Sequence, residues 1–250
     1  MIIIKLGGSA ITDKSKEYTP RMEVITRTAE QVSRIKDVIL VHGGGSFGHP
    51  LAKEYELHKG FKDESQLKGV SRTRYSMTVL NQLVVSALIE KGVPAVSVQP
   101  SALFVCKSKR ISHFFLEPIH YLLDLKCVPV LYGDVVTDAK MGFCILSGDQ
   151  IVSFLAEKVH PEKVIFGLDK DGLYDKDPAF EDASLIREIT FADLASISAG
   201  ETGDVTSGMK GKLSEIVQMK GITEVNLINL MKDNTLSRAV KGDVEGTRIR

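Results

Sequence analysis

The chain alternates short apolar runs with longer stretches in which apolar residues recur every three or four positions. Ile2–Leu6, Val38–Val41, Ala95–Val98, Val128–Tyr132, Lys163–Gly167 and Val225–Ile228 read as strands, the first of them central. After Pro20, Arg21–Ile35 carries Val24, Thr28, Val32 and Ile35 at helical spacing. Leu67–Glu90 predicts a long helix with Val79, Leu80, Leu83, Val84, Ala87 and Leu88 on its buried side, ended by Gly92-Val93-Pro94. Helices are also expected over Ile119–Leu125, over Gln150–Lys158 behind Ser147 as cap, and over Met209–Lys220, with a brief helix or turn at Leu236–Val240. Strand, helix and strand within about forty residues imply a right-handed crossover and a parallel pair. Ala102–Cys106 and Arg110–Phe114 predict an antiparallel excursion around Lys107-Ser108-Lys109, and Thr247-Arg248-Ile249 an edge strand. The stretch Gly133–Gly148 breaks the pattern and divides the chain into two portions.

A chain of 250 residues can bury roughly 70–75% of its unfolded surface, enough for one large domain or two lobes sharing a sheet. Acidic and basic residues balance at 32 each, with no run of five like charges. That argues against a nucleic-acid or anionic-membrane partner and leaves room for a local group of lysines around a small anion. Cys106, Cys127 and Cys144 are widely spaced and odd in number, which suits free thiols in a reducing compartment better than a zinc site. Three leading isoleucines are too few for a signal peptide or a span, and no later stretch reaches eighteen apolar residues, so a cytoplasmic protein is expected.

Two of the strands open without a gap into glycine. Ile2-Ile3-Ile4-Lys5-Leu6 runs into Gly7-Gly8-Ser9, and Val38-Ile39-Leu40-Val41 into His42-Gly43-Gly44-Gly45-Ser46-Phe47-Gly48-His49. Glycine removes the Cβ that would hold main-chain N–H groups away from an anion, and such anions sit at strand ends in α/β sheets. Two phosphate cradles point to two phosphorylated ligands, and so to transfer between them. Neither loop has Walker A spacing, and Gly7-Gly8 lacks the dinucleotide fingerprint, which disfavours hydride transfer. Plainer readings stand beside these: a Gly-Gly pair makes a tight turn, His49 packs or caps, Asp149 caps the helix near Gln150, and a lysine is solvated surface. Lys5 departs from that last reading most clearly, because an ammonium between three isoleucines and Gly-Gly needs an anion partner. Lys14, beside Asp13, Lys16 and Glu17, departs from it least. His42 reads as structural, donating to backbone at the strand exit.

In chain order, Lys5-Leu6-Gly7-Gly8-Ser9, His42-Gly43-Gly44-Gly45, Gly148-Asp149, Asp169-Lys170-Asp171-Gly172-Leu173-Tyr174 with Lys176-Asp177-Pro178, and Thr206-Ser207-Gly208-Met209-Lys210-Gly211-Lys212 resemble the motif set of the amino acid kinase family. The likeness runs to the closing Gly246-Thr247-Arg248-Ile249. It implies an α/β fold, an open and mostly parallel sheet in a carbamate kinase-like αβα sandwich. It further implies one domain over 1–250, with an acceptor-binding portion over about 1–147 and an ATP-binding portion over about 148–250. Ser46-Phe47-Gly48-His49, with Lys14 behind the first loop, is similar to members that phosphorylate isopentenyl phosphate to isopentenyl diphosphate on an alternative mevalonate route. Competing readings are a kinase for a carboxylate, carbamate or other phosphate, and a nucleotide-binding regulatory module without catalysis. The resemblance also implies Mg2+ with ATP and a homodimer; no protein ligand set for the metal is evident.

Carried onto this sequence, the resemblance puts Lys5 and Lys212 on the ATP phosphates and Lys14 at the transfer region, with Asp149 orienting the ammonium groups. Gly8 and Gly45 would offer amides to the β and γ phosphates, in loops that include Gly7 and Ser9. Gly44 and Gly148 would contact the acceptor phosphate, and His49 would donate to it, selecting phosphate over carboxylate. Asp169, Tyr174 and Lys176 would cover the nucleotide, with Gly203 and Gly208 bending over its phosphates. Candidate walls for an alkyl tail are Tyr75, Met77, Val79, Leu83, Phe143 and Ile145. A monophosphate with a second pKa of about 6 is already a competent nucleophile at neutral pH, so direct in-line transfer without a phosphorylated residue is expected. The difficulty lies in bringing two anions together, which calls for positive charge and aimed N–H donors in a site closed to water.

Overall fold

The computed structural model describes residues 1–199, 207–219, 221 and 224–250. β1 (Ile2–Leu6) leads through α1 (Gly8–Ile11) and α2 (Met22–Val32) to β2 (Val38–His42), and α3 (Gly45–Glu54) follows at once. After a single 3-10 turn come α4 (Ser65–Glu90), β3 (Ala95–Ser97), α5 (Pro100–Leu103), β4 (Phe104–Lys107), β5 (Arg110–Phe114), α6 (Glu117–Asp124) and β6 (Val128–Tyr132). The hairpin β7 (Asp134–Asp138) and β8 (Gly142–Leu146) leads to α7 (Gly148–Val159) and β9 (Lys163–Leu168). The chain closes with β10 (Glu188–Ile189), α8 (Phe191–Ala199), α9 (Ser207–Val217), β11 (Val225–Asn229), α10 (Thr235–Val240) and β12 (Gly246–Ile249).

Eight strands form the main sheet in the order β10-β12-β11-β9-β1-β2-β6-β3, parallel except where β12 runs against β11. Its strands are apolar throughout because both faces are covered. Ile4, Val38, Leu40, Val130 and Ile165 face a core completed by α2, α4 and α10, whereas their neighbours Ile3, Ile39, Val41, Leu131 and Val164 face one completed by α7, α8 and α9. The alternation of successive residues between the two cores is the period of a strand. A smaller sheet, β5-β4-β7-β8, holds the predicted antiparallel pair at one edge. No described helix is long and apolar enough to cross a membrane.

Several elements depart from the sequence reading: α1, α5 and α8 were not anticipated, and Ala102 and Leu103, read as strand, belong to α5. The break at Gly133–Gly148 is a β-hairpin, with Val135 and Val136 buried and Asp138 tying the turn by accepting from the amides of Lys140 and Met141. Thr247-Arg248-Ile249 is an interior strand, because the two-residue β10 pairs outside it. The second glycine loop becomes the first turn of α3, which runs through Pro50; the Ser46 carbonyl that Pro50 cannot bond accepts from the Tyr18 amide at 3.4 Å instead.

β1 is where the chain divides, with β2, β6 and β3 on one side and β9, β11, β12 and β10 on the other. The glycine loop after β1 stands beside the segment after β9, where the connections change from one face of the sheet to the other, and the loop after β2 lies next to it; such a switch point is the usual ligand site of an open α/β fold.

Candidate active site

The two loops interlock. The amide of Gly43 donates to Leu6 at 2.9 Å, and that of Gly7 to Gly167 of β9 at 2.7 Å, tying three parallel strands together at their ends. A Cβ on Gly8 would stand 2.3 Å from the Gly45 nitrogen, and Gly45 itself adopts φ +48°, the left-handed region glycine enters freely. Thr12 pins both loops: its hydroxyl donates to the Gly8 carbonyl at 2.7 Å and accepts from the Ser46 amide at 2.9 Å. Across the cleft α7 begins at Gly148, capped by Ser147, whose hydroxyl accepts from the Gln150 amide at 3.1 Å. Among the described residues no acceptor pairs with the amides of Gly8, Gly44 or Gly148, and all three residues line the cleft. These are free donors at helix starts, the arrangement that suits phosphate oxygens.

Between the loops lies a buried charge cluster. Lys5 on β1 and Lys212 on α9 both place Nζ 2.8 Å from the same oxygen of Asp149, in the first turn of α7. The two lysines are 5% and 8% exposed, so neither is ordinary surface. Burial would raise the Asp149 carboxyl, but the charges of Lys5 and Lys212 outweigh it and hold the group well below the usual carboxylate range. Lys212 is pushed down to about 8, first by burial and then by Lys5 beside it. Two ammonium groups share one carboxylate, which leaves a net positive charge aimed into the cleft where an anion can complete the neutralisation. The kcat/KM for ATP is therefore expected to fall as pH rises through about 8, the pKa of free Lys212. Lys212→Arg should remove that limb, since a guanidinium keeps its proton; an unchanged limb would show that another group controls it.

The cleft has a volume of about 570 Å³ and runs from an apolar end, with Ala52, Thr73, Met77, Val135 and Ile145, past the lysines to Leu173, Tyr174 and Pro178. Lys14 and His49 both line it and both reach solvent there. Partial desolvation first, then the charges of Lys14 and Lys5, lower the His49 imidazole pKa from its ordinary value, which favours the neutral ring.

A profile of the amino acid kinase family matches residues 1–225. The chain belongs to the amino acid kinase family. Among curated relatives it is 39% identical to the isopentenyl phosphate kinase of Methanothermobacter thermautotrophicus, over 100% of this chain and 98% of that one. It is 37% identical to the isopentenyl phosphate kinase of Thermoplasma acidophilum over the full length of both. A crystal structure of the T. acidophilum enzyme in a product complex superposes with a TM-score of 0.86 at 35% identity, covering 100% of each chain. Carbamate kinase from Giardia lamblia, at 16% identity over 99% of this chain and 97% of its own, shares the fold with a TM-score of 0.74.

Against this amino acid kinase frame, the residues singled out in the sequence separate into groups. Lys5, Gly7, Gly8, Ser9, Lys14, Gly44, His49, Met77, Ile145, Gly148, Asp149, Asp169, Tyr174, Lys176 and Lys212 all line the one cleft. Asp169 accepts from the Ser9 hydroxyl at 3.1 Å, joining the first glycine loop to the nucleotide side, and Lys176 is paired with Asp182. Gly45 does not line the cleft; its close fit against Gly8 turns it to the loop junction. Tyr75 is 74% exposed and does not line the cleft, and Val79 and Leu83 pack against the core below α4. Phe143 packs with Leu57 and Val135 in a separate small cluster. The helical stripe that identified this face of α4 belongs to the core, and Thr73 and Met77, one turn apart, are the α4 residues that reach the cleft. Gly203 lies outside the described residues, and Gly208 is in the first turn of α9. Sequence reasoning missed Thr73, Val135 and Asp134 as cleft residues. Asp134 is buried, which raises its carboxyl pKa against the opposing pull of Ser101 and Arg74, and it accepts from the amides of Val135 at 2.8 Å and Ser101 at 3.2 Å. The visible signal was the Gly133-Asp134 step at a strand end.

Proposed function

We propose that this protein transfers the γ-phosphoryl group of ATP to isopentenyl phosphate, giving isopentenyl diphosphate. The observation that carries this reading is full-length likeness to isopentenyl phosphate kinases at 39% and 37% identity. The acceptor occupies the apolar end, its phosphate on the amides of Gly44 and Gly148 and on the imidazole of His49. ATP lies toward Asp169 and Tyr174, its phosphates on the Gly8 amide and on Lys5 and Lys212. The portion over about 1–147 thus supplies most of the acceptor pocket and that over about 148–250 the nucleotide side, with Gly8 and Lys5 reaching the ATP phosphates and Gly148 the acceptor phosphate from the opposite portion.

The chemistry needs no general base. A dianionic phosphate oxygen attacks the γ-phosphorus in line, and the protein supplies charge to offset the repulsion and fixed amides to hold both ends. Lys14 stands at the transfer region and Asp149 holds the other two lysines in place. Among the described residues no group of three His, Cys, Asp or Glu is gathered to hold a metal ion. Mg2+ entering with the nucleotide would neutralise phosphate charge, adding to what Lys5 and Lys212 supply.

Ala52, Met77, Val135 and Ile145 give the five-carbon tail a wall whose burial is worth roughly 3–4 kcal/mol, at about 0.8 per methylene-sized group. Such a wall separates near isomers weakly, so dimethylallyl phosphate and other small alkyl phosphates are expected to be used at reduced rates. The reading is tested by ADP release across a panel of alkyl monophosphates, carboxylates and carbamate. Isopentenyl phosphate should give the highest kcat/KM, and His49→Ala should lower it by about 10²-fold while ATP binding is unchanged. Turnover of a carboxylate in place of every phosphate would overturn it. A cytoplasmic location and a homodimer belong to the same proposal: the three free cysteines suit a reducing compartment, and exposed Tyr121 and Leu125 beside α6 offer apolar contact area.

A further inference from the structure

His42 is the last residue of β2, wholly buried behind the glycine loop, and does not itself line the cleft. Its ring is stacked on Tyr132 with centroids 5.5 Å apart and planes 21° apart, which fixes the direction of both nitrogens. Nδ1 faces the carbonyl oxygen of Gly43 at 3.1 Å, and Nε2 faces Asn81 Oδ1 at 3.2 Å. Asn81, itself 1% exposed, is joined in turn to the Ser97 hydroxyl on β3.

A neutral imidazole has one N–H, and burial pushes His42 down to about 4, so at pH 7 the ring is neutral. The Gly43 carbonyl can only accept. The Asn81 amide lies with Oδ1 toward Nε2 and with Nδ2 donating to Ser97 Oγ, an orientation that would draw the ring N–H to Nε2 and leave Nδ1 without a proton for Gly43; turned end for end, the same amide satisfies every group, with Ser97 Oγ–H donating to Asn81 Oδ1, Asn81 Nδ2–H to Nε2, and the ring N–H on Nδ1 to Gly43. The opposite tautomer would set the Nδ1 lone pair against the Gly43 oxygen at 3.1 Å.

The peptide between Gly43 and Gly44 is trans and planar, so its carbonyl and its N–H point in opposite directions. Two glycines leave this peptide plane almost free to rotate unless something holds it. We propose that His42 is a positioning residue: by holding the Gly43 carbonyl from behind, it turns the Gly44 N–H into the cleft toward the acceptor phosphate. Asn81, turned so that its NH2 meets Nε2, and Ser97 fix the tautomer that makes this possible, so the donor is set by a chain that runs from exposed Ser97 at the sheet edge through buried Asn81 and His42 to the site. The acceptor side of this inference rests on the reading given above; the tautomer does not.

The test has two parts. In ¹⁵N NMR of the unliganded protein, with the His42 signals assigned by their loss in His42→Asn, the ring should be neutral with its proton on Nδ1 between pH 5 and 8. A proton on Nε2 would overturn the proposal without bearing on the kinase assignment. In kinetics, His42→Leu fills the space without a donor, whereas His42→Asn restores an N–H near the Nδ1 position. Loss of one aimed hydrogen bond should raise the KM for isopentenyl phosphate by about tenfold in His42→Leu, with the ATP KM changed by less than about twofold. His42→Asn should recover most of that loss even where its thermal stability is as low as that of His42→Leu. Equal acceptor KM values in the two variants, or parallel rises in both KM values, would reduce His42 to packing.

Discussion

Replacing Asp149 with alanine is expected to lower kcat/KM by at least about 10²-fold, the scale of losing one preorganised electrostatic contact in a site closed to water. The reason is the sharing of one carboxylate oxygen by Lys5 and Lys212, each at 2.8 Å. Without it two buried ammonium groups face each other, and Lys212, already lowered to about 8 with the carboxylate present, drops further. One lysine then sheds its proton near neutral pH, and the γ-phosphoryl loses charge where negative charge develops in transfer. Asp149→Asn keeps the shape and removes only the charge, so it should fail nearly as badly; wild-type kinetics in that variant would mean the carboxylate merely caps α7. A stability signature accompanies the loss. A lysine whose folded pKa lies below its unfolded value favours the unfolded state while protonated, so the Tm deficit of Asp149→Ala should be largest at low pH and shrink as pH rises through the lowered lysine pKa.

Gly8→Ala is expected to be comparably damaging through geometry alone. The new methyl would stand 2.3 Å from the Gly45 nitrogen and 2.8 Å from its Cα, both backbone atoms with no rotamer to yield. The loops after β1 and β2 must part, and every amide they aim at phosphate moves with them. Overpacking of this kind costs about 1–3 kcal/mol in stability. Displacement of donors by about an ångström costs about 10²-fold in rate. KM for both substrates should rise, which separates this variant from His49→Ala, where the loss falls on the acceptor. A Gly8→Ala enzyme with both KM values unaltered would show that the loops are not the phosphate cradle.

Much of this architecture was legible in the chain because its strongest signals are local. Five central strands are apolar runs whose two faces both enter a core, and the glycines mark where β1 and β2 end. Ser147 was readable as a cap since hydroxyl-to-amide bonding needs only three residues of context. What escaped depends on contacts far apart in sequence. α3 begins on glycine and contains Pro50, so propensity argues against a helix that Thr12, Tyr18 and α4 hold in place. β12 became interior only through β10, a strand of two residues with no pattern of its own. For the site, charged residues next to glycine were found because their surroundings were anomalous. Of the candidate tail walls, Met77 and Ile145 line the cleft while Val79 and Leu83 face the core, since a methionine facing a cleft and a valine facing a core share the same helical stripe until the partner surface is known. The pairing of Lys5 with Asp149 joins residues 144 positions apart and was anticipated from the family resemblance, not from spacing.

The account depends on two phosphates meeting in one cleft beside the Lys5–Asp149–Lys212 cluster. A crystal structure with isopentenyl phosphate and a non-hydrolysable ATP analogue tests this most directly. It should place the acceptor phosphate on the Gly44 and Gly148 amides, in line with the γ-phosphorus, and both lysine ammonium groups within hydrogen-bond reach of the γ-phosphoryl oxygens. An acceptor bound elsewhere, or a γ-phosphoryl touched by neither lysine, would contradict it.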